Sequence, residues 1–364
     1  MRFKNFFTER PVWYWTSVLL VSVIAFIAVF TSRWTRLHRD AVLTITKVEP
    51  FYLSKSTDLE GLATKLDSLG WVDKKKEFRW AGRLLGWNHF RRGRYELPAD
   101  INYDNLFDKL GKGLQDPLNL TVLPGTDLES FQRRLAQRFA FDSTAVRQVF
   151  ADSSFLQEKS LSRQHLFGRM LPDTYQFYWT ESPKVVISKI LEHFQDEVAG
   201  QYGNRIHEIR FDLGDMVTLA SIIEWEARRE DEKKTISGLY WNRLNRGMRL
   251  QADPTVLFAL GERRRLYYKD YEIDHPYNTY IHKGLPPGPI TNPGLGSIEA
   301  ALYPADHDFL YMVATPEGTH LFSETYEQHK QKSRDWREWL QKQYRIKERR
   351  EAAEQQRQNK QSTR

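Results

Sequence analysis

The alternation of apolar and polar positions divides the chain into stretches of different character. From Val12 to Ser32 the run VWYWTSVLLVSVIAFIAVFTS carries no charge, and about 20 apolar residues in a helix span the roughly 30 Å hydrocarbon core of a bilayer. The run predicts a transmembrane helix over 12–33. Trp13, Tyr14, Trp15 and Trp34 lie near its ends, where amphipathic rings prefer the headgroup level. A cleaved signal peptide would have a shorter apolar region and a small-x-small site after it, which Thr31, Ser32, Arg33 and Trp34 do not supply. Arg2, Lys4 and Arg10 before the span are matched by Arg33, Arg36 and Arg39 after it, so charge does not orient it.

Beyond the span an extended segment, a turn and a short amphipathic helix recur. The instances are ITKVEPFYL with STDLEGLATKL, RRGRYELPAD with INYDNLFDKL, and NLTVLPG with TDLESFQRRL. Thr57 with Glu60, and Thr126 with Glu129, read as capping boxes that satisfy the orphan amides of a first helical turn. Leu59, Leu62 and Leu66 share one helical face. Such β/α units, each too small to bury its own face, predict a compact α+β module over 41–122. From about Phe211 to Lys330 longer helices alternate with Gly/Pro-rich loops. Asp215 is placed to cap MVTLASIIEWEARRE, the helix KKTISGLYWNRLNR ends at Gly247, and Asp253-Pro254 reads as an N-cap and first-turn pair. FLYMVA, TPEG and THLFS read as a hairpin with Gly318 in its turn. The fold class is α+β.

The net charge of +7 suggests a nucleic-acid partner only until it is located. Between Lys330 and Arg364, 12 basic and 5 acidic residues account for all of the excess, so the rest is balanced and no nucleic-acid groove is indicated. The segment 341–364 is a basic polar tail, almost free of apolar residues after Ile346 and expected to be a frayed helix or disordered. The absence of cysteine excludes a disulfide framework, a thiolate metal site and a cysteine nucleophile. The 11 Trp and 17 Tyr suit a packed core and a membrane interface, and also stacking on carbohydrate.

Glu224 is the first candidate for chemistry. On a helix, Ala220, Ser221, Ala227 and Arg228 flank it at three and four residues, leaving room on its face for a ligand. Ile222 and Ile223 suggest partial desolvation, which raises a carboxyl pKa toward proton-donating range. A surface glutamate paired with Arg228 is the competing reading. Glu226 is weaker, since Arg229 and Glu230 suggest a charged face. The second candidate is the long loop Pro276–Ser297, too long for a mere connection. There Tyr277 and Tyr280 could stack on a sugar and Asn278 could bond its hydroxyl or acetamido groups, or all could simply hold the loop. Asn242, Gln251, Asp253 and His320 are polar residues nearby; helix capping suffices for Asp253, and a satisfied hairpin histidine for His320. No metal is expected, because His207, His275, His282, His320 and His329 lack ligand spacing. No cofactor is expected either: there is no Walker loop, no G-x-G-x-x-G and no G-x-S-x-G.

Taken together, LPDTYQF from Leu171, LASIIEWEA from Leu219, YWNRLNRGMRLQADPTVLFALG from Tyr240, PYNTYIHKGLPPGPITNPG from Pro276 and YMVATPEGTHLFSETYEQH from Tyr311 resemble the endolytic murein transglycosylases of the MltG (YceG-like) family. The resemblance implies a cytoplasmic stub over 1–11, one span of the inner membrane, a LysM-like module over 41–122 and a periplasmic catalytic domain over 123–340. It implies Glu224 as the catalytic acid/base, with Asn242, Gln251, Asp253, Tyr277, Asn278 and Tyr280 as cleft residues. The activity it implies is lytic cleavage of nascent peptidoglycan glycan strands between N-acetylmuramic acid and N-acetylglucosamine. This leaves 1,6-anhydro ends and terminates elongation, with peptidoglycan synthases as possible partners. The alternatives are a hydrolytic muramidase, in which Asp253 would activate water, and a non-catalytic wall-binding scaffold. Two departures stand out: Lys55-Ser56 and Pro98-Ala99 occupy the turns before the module's helices, and Trp225 follows the glutamate where a polar residue is common.

Overall fold

A computed structural model describes residues 12–39, 41–209, 211–315 and 318–362. The stub over 1–11, with Arg2, Lys4 and Arg10, lies outside the described residues, as do Pro316 and Glu317 of the hairpin turn and the last two residues of the tail. The chain is α+β and divides into two compact units, 1–119 with 176–181, and 120–175 with 182–364.

In the first unit, helix α1 (Val12–His38) is long and apolar enough to cross a membrane. It continues a turn past the uncharged run, so that Leu37 is buried and the His38 carbonyl accepts from Asn102 Nδ2 at 2.7 Å. Strands β1 (Glu49–Leu53) and β2 (Gly93–Leu97) pair antiparallel with Phe51 opposite Tyr95. Against them pack α2 (Leu59–Ser68), α3 (Lys75–Leu85) and α4 (Tyr103–Lys112), around Leu62, Leu66, Phe78, Phe90 and Phe107. The helix α3 escaped the sequence pattern because its charged residues obscure the few buried positions, Phe78, Ala81 and Gly82. The cap of α2 is Asp58, which accepts from the Gly61 amide, and not Thr57. Thr57 instead pairs through both backbone groups with Phe90, so its backbone is committed to a bridge and the helix starts one residue later.

Strand β3 (Leu118–Thr121) pairs with β4 (Thr174–Phe177). Helices α5 (Leu128–Arg138), α6 (Ser143–Ala151), α7 (Ser153–Glu158) and α8 (Arg163–Gly168) precede β4, and α9 (Pro183–Phe194) and α10 (Gly200–Glu208) follow it. The cap of α5 is likewise Asp127 in place of Thr126, because Thr126 gives its amide and hydroxyl to Asn292 Oδ1. Helix α11 (Leu213–Glu226) is buried from Met216 to Ile223 on every face, which is why its apolar residues show no stripe. Asp212 caps it in a reciprocal box with Asp215, correcting the assignment of Asp215 as the cap. Around α11 pack α12 (Lys233–Asn245), α13 (Asp253–Leu260) and α14 (Leu295–Leu302). The hairpin of β5 (Tyr311–Ala314) and β6 (His320–Ser323) forms as the pattern predicts, with Gly318 at a left-handed φ of 77°. The tail is helical over its described length: α15 runs from Tyr326 to Ser362.

Candidate active site

Helix α11 ends sooner than its sequence suggested. Ala227 leaves the helix with extended backbone, so Arg228 is no longer one helical turn above Glu224 and the expected Glu224–Arg228 pair does not form. The Glu224 carboxylate instead reaches the start of α14. Its Oε2 accepts from the Gly294 backbone N–H at 3.1 Å, from Ser297 Oγ at 2.6 Å and from Lys233 Nζ at 3.4 Å. Gly294 is the N-cap of α14, so the carboxylate occupies the positive end of a helix. Lys233 is 5% exposed and is shared with Glu230 at 2.5 Å. Among the described residues nothing donates to Oε1. The two oxygens therefore differ: one is held from three sides, while the other has no donor among the described residues.

Glu224 lines a cavity of about 590 Å³ with Pro124, Gly125, Trp225, Pro254, Leu257 and Arg263 to Arg265. The Trp225 indole N–H donates to the Gly125 carbonyl at 2.9 Å, and the Arg263 guanidinium lies 3.9 Å above its ring while also donating to that carbonyl. Trp225 is thus a fixed wall. Asn292 sets the other side: fully buried, it donates to the Leu123 and Met170 carbonyls and accepts from Thr126, tying the loop before α14 to residues 123–126. Ser221 accepts from the Ile290 amide and anchors the same loop on α11.

A second cavity, of about 490 Å³, shares Trp225, Pro254 and Leu257 with the first and adds Glu226, Asp253 and His320 to its lining. Glu226 is therefore not on a charged outer face. Its carboxyl is pushed up to about 7, first by burial and then by Asp253, against the opposing pull of Arg243. Asp253 is the first residue of α13 and not its cap, a place taken by Ala252. Its carboxylate accepts from Tyr280 Oη at 2.6 Å.

The other predicted residues are placed less directly. Tyr277 is buried beside Phe258, with 4.5 Å between ring centroids, and Asn278 is fully buried, donating to the Tyr271 and Ile273 carbonyls and accepting from the Tyr280 amide. Both hold the loop's own shape. Asn242 donates to the His307 and Phe309 carbonyls and borders neither cavity. Gln251 is exposed, at a left-handed φ of 50° beside Ala252, and its amide bonds the Thr279 carbonyl. His320 is satisfied by Glu232 through its amide and Nδ1. Sequence reasoning missed Lys233, Gly294 and Ser297. Gly294 and Ser297 lie within the long loop singled out above and could have been found there, as a helix start three residues long; Lys233 carried no such signal.

The chain is similar to known proteins over most of its length. A family model described as the YceG-like family matches residues 51–335. An endolytic murein transglycosylase of Bacillus subtilis (strain 168) is 29% identical over 293 residues, covering 76% of this chain and 81% of the relative. One from Streptococcus pneumoniae serotype 2 is 27% identical over 310 residues, covering 76% of this chain and 56% of the relative. The crystal structure of a YceG-like protein from Listeria monocytogenes, 30% identical, superposes with a TM-score of 0.55 over 79% of this chain and 99% of its own.

Proposed function

Since the chain belongs to the YceG-like family, we propose that it is an endolytic peptidoglycan lytic transglycosylase with Glu224 as its acid/base. The observation that carries this reading is the asymmetric seating of the Glu224 carboxylate, with Oε2 clamped by Gly294, Ser297 and Lys233, Oε1 without a donor among the described residues, and the side chain lining a cavity of about 590 Å³.

Cleavage requires a proton on the leaving glycosidic oxygen as positive charge develops at C1. Protonated Glu224 donates to the oxygen between N-acetylmuramic acid and the following N-acetylglucosamine. The carboxylate so formed takes the proton of the C6 hydroxyl of the same N-acetylmuramic acid, whose oxygen attacks C1 and closes a 1,6-anhydro ring. The proton count balances and no water is consumed. An attacking group on the same sugar has a high effective concentration, so neither a second carboxylate nor a bound water is needed. Helix α1 anchors the enzyme, with the amino terminus cytoplasmic and the catalytic unit periplasmic. There it would meet nascent strands, end their elongation and work beside peptidoglycan synthases.

Mass spectrometry of fragments released from purified glycan strands by the full chain in detergent tests this. Internal cuts whose new ends are one water lighter than reducing ends support it; reducing ends would make the protein a hydrolase.

A further inference from the structure

The second cavity has a wall that the reaction at Glu224 does not use. Helix α15 packs its first turns on the hairpin, with Tyr311 stacked on His329 and Lys332 Nζ donating to the Phe322 carbonyl. This brings Trp336 and Trp339 to the cavity that holds Glu226, Asp253, Thr315 and Thr319. The indoles are stacked on each other, with 5.1 Å between ring centroids and 13° between their planes, and Trp339 is 38% exposed. Flat, partly exposed aromatic rings beside hydrogen-bonding acceptors provide what a pyranose needs: a surface for its axial C–H face and partners for its equatorial hydroxyls.

We propose that Trp336 and Trp339 form a saccharide subsite for a neutral N-acetylhexosamine of the strand whose scissile bond lies at Glu224, a proposal that rests on the function given above. Continuity supports it, because Trp225, Pro254 and Leu257 line both cavities and one chain of sugars can run along them. The lining is mixed in charge, with Arg228 beside Glu226 and Asp253, and the hydroxyls of an N-acetylglucosamine find acceptors in the acidic side chains and a donor in the guanidinium. The volume of about 490 Å³ lies within the range of small-ligand sites.

The test uses the full chain in detergent carrying Glu224→Gln, titrated with penta-N-acetylchitopentaose and followed by tryptophan fluorescence. Binding weakened on the order of tenfold by Trp336→Leu or Trp339→Leu, the scale of one or two aromatic contacts, supports the subsite. So does a rise in the half-saturating strand concentration of the active enzyme, carrying either substitution, that exceeds any loss of turnover. Unchanged affinity in both variants overturns it, as does tryptophan-dependent binding of a stem tetrapeptide or of anionic vesicles in place of the oligosaccharide. Should a variant unfold, 5-fluorotryptophan resonances of Trp336 and Trp339 in Glu224→Gln decide the matter, and signals unmoved by the sugar overturn it. Failure of the unsubstituted enzyme to cleave strands at all would instead sink the underlying function.

Discussion

The Ser297 hydroxyl donates to Oε2 of Glu224 at 2.6 Å across 73 positions of sequence. That bond, with the Gly294 amide beside it, makes the start of α14 a seat for a carboxylate on the last turn of α11. A catalytic acid must be aimed as well as present, since small misplacements cost rate steeply. The seat supplies the aim.

Ser297→Ala removes one charge-assisted bond, a class that contributes about 1.5–3 kcal/mol. The expected result is a turnover number lower by roughly ten- to a hundredfold, with the half-saturating strand concentration changed much less. Steady-state kinetics on defined strands check this, and turnover equal to that of the unsubstituted enzyme would mean that Ser297 does not position Glu224.

Asp253→Asn separates the transglycosylase from a hydrolase. Because the attacking hydroxyl belongs to the sugar, the variant should keep anhydro products and lose less than about tenfold in rate, whereas removal of a true general base costs about 10²–10⁴. Asn keeps an oxygen acceptor for Tyr280 Oη, so the loop has no reason to move. A loss of the larger size would assign Asp253 a proton-transfer role.

Glu226 gives the fold a pH dependence. Its carboxyl is raised from 4.5 to about 7, chiefly by burial. Between these values the folded state keeps a proton that the unfolded chain has released, so stability falls as pH rises through the window and is flat outside it. Glu226→Gln removes that slope. Relative to the unsubstituted protein the variant should gain stability from about pH 4.5 to about 7, by about 2 kcal/mol after allowance for the solvent-filled cavity beside it. Denaturation midpoints across that range check the sign, and a pH-independent difference would contradict it.

Much of this site could be read from the chain, but not the parts that depend on distant contacts. The apolar run Met216–Ile223 announces a buried helix, and small neighbours mark Glu224 as having room. Yet the end of α11 at Glu226, which cancels the Arg228 pair, is a matter of how the chain turns next. Tyr277 and Asn278 show the limit of residue type. An aromatic ring and an amide suit a sugar and equally suit a loop that must satisfy its own backbone, and the structure uses them for the loop. The capping boxes fail by one residue at Thr57 and Thr126 for a similar reason: each threonine is taken by a tertiary partner, Phe90 in one case and Asn292 in the other, and the aspartate after it caps the helix. Trp336 and Trp339 carried no signal in the charged stretch just before the tail, because only the packing of α15 on the hairpin brings them to a cavity.

The most direct measurement compares the full chain with Glu224→Gln, both shown to be folded by circular dichroism, in the release of muropeptides from purified strands. Glutamine can fill the seat but cannot exchange a proton, so release of anhydro-ended products should fall by about 10²–10⁴ while strand binding persists. Undiminished release by the variant would contradict the assignment of Glu224 as the acid/base.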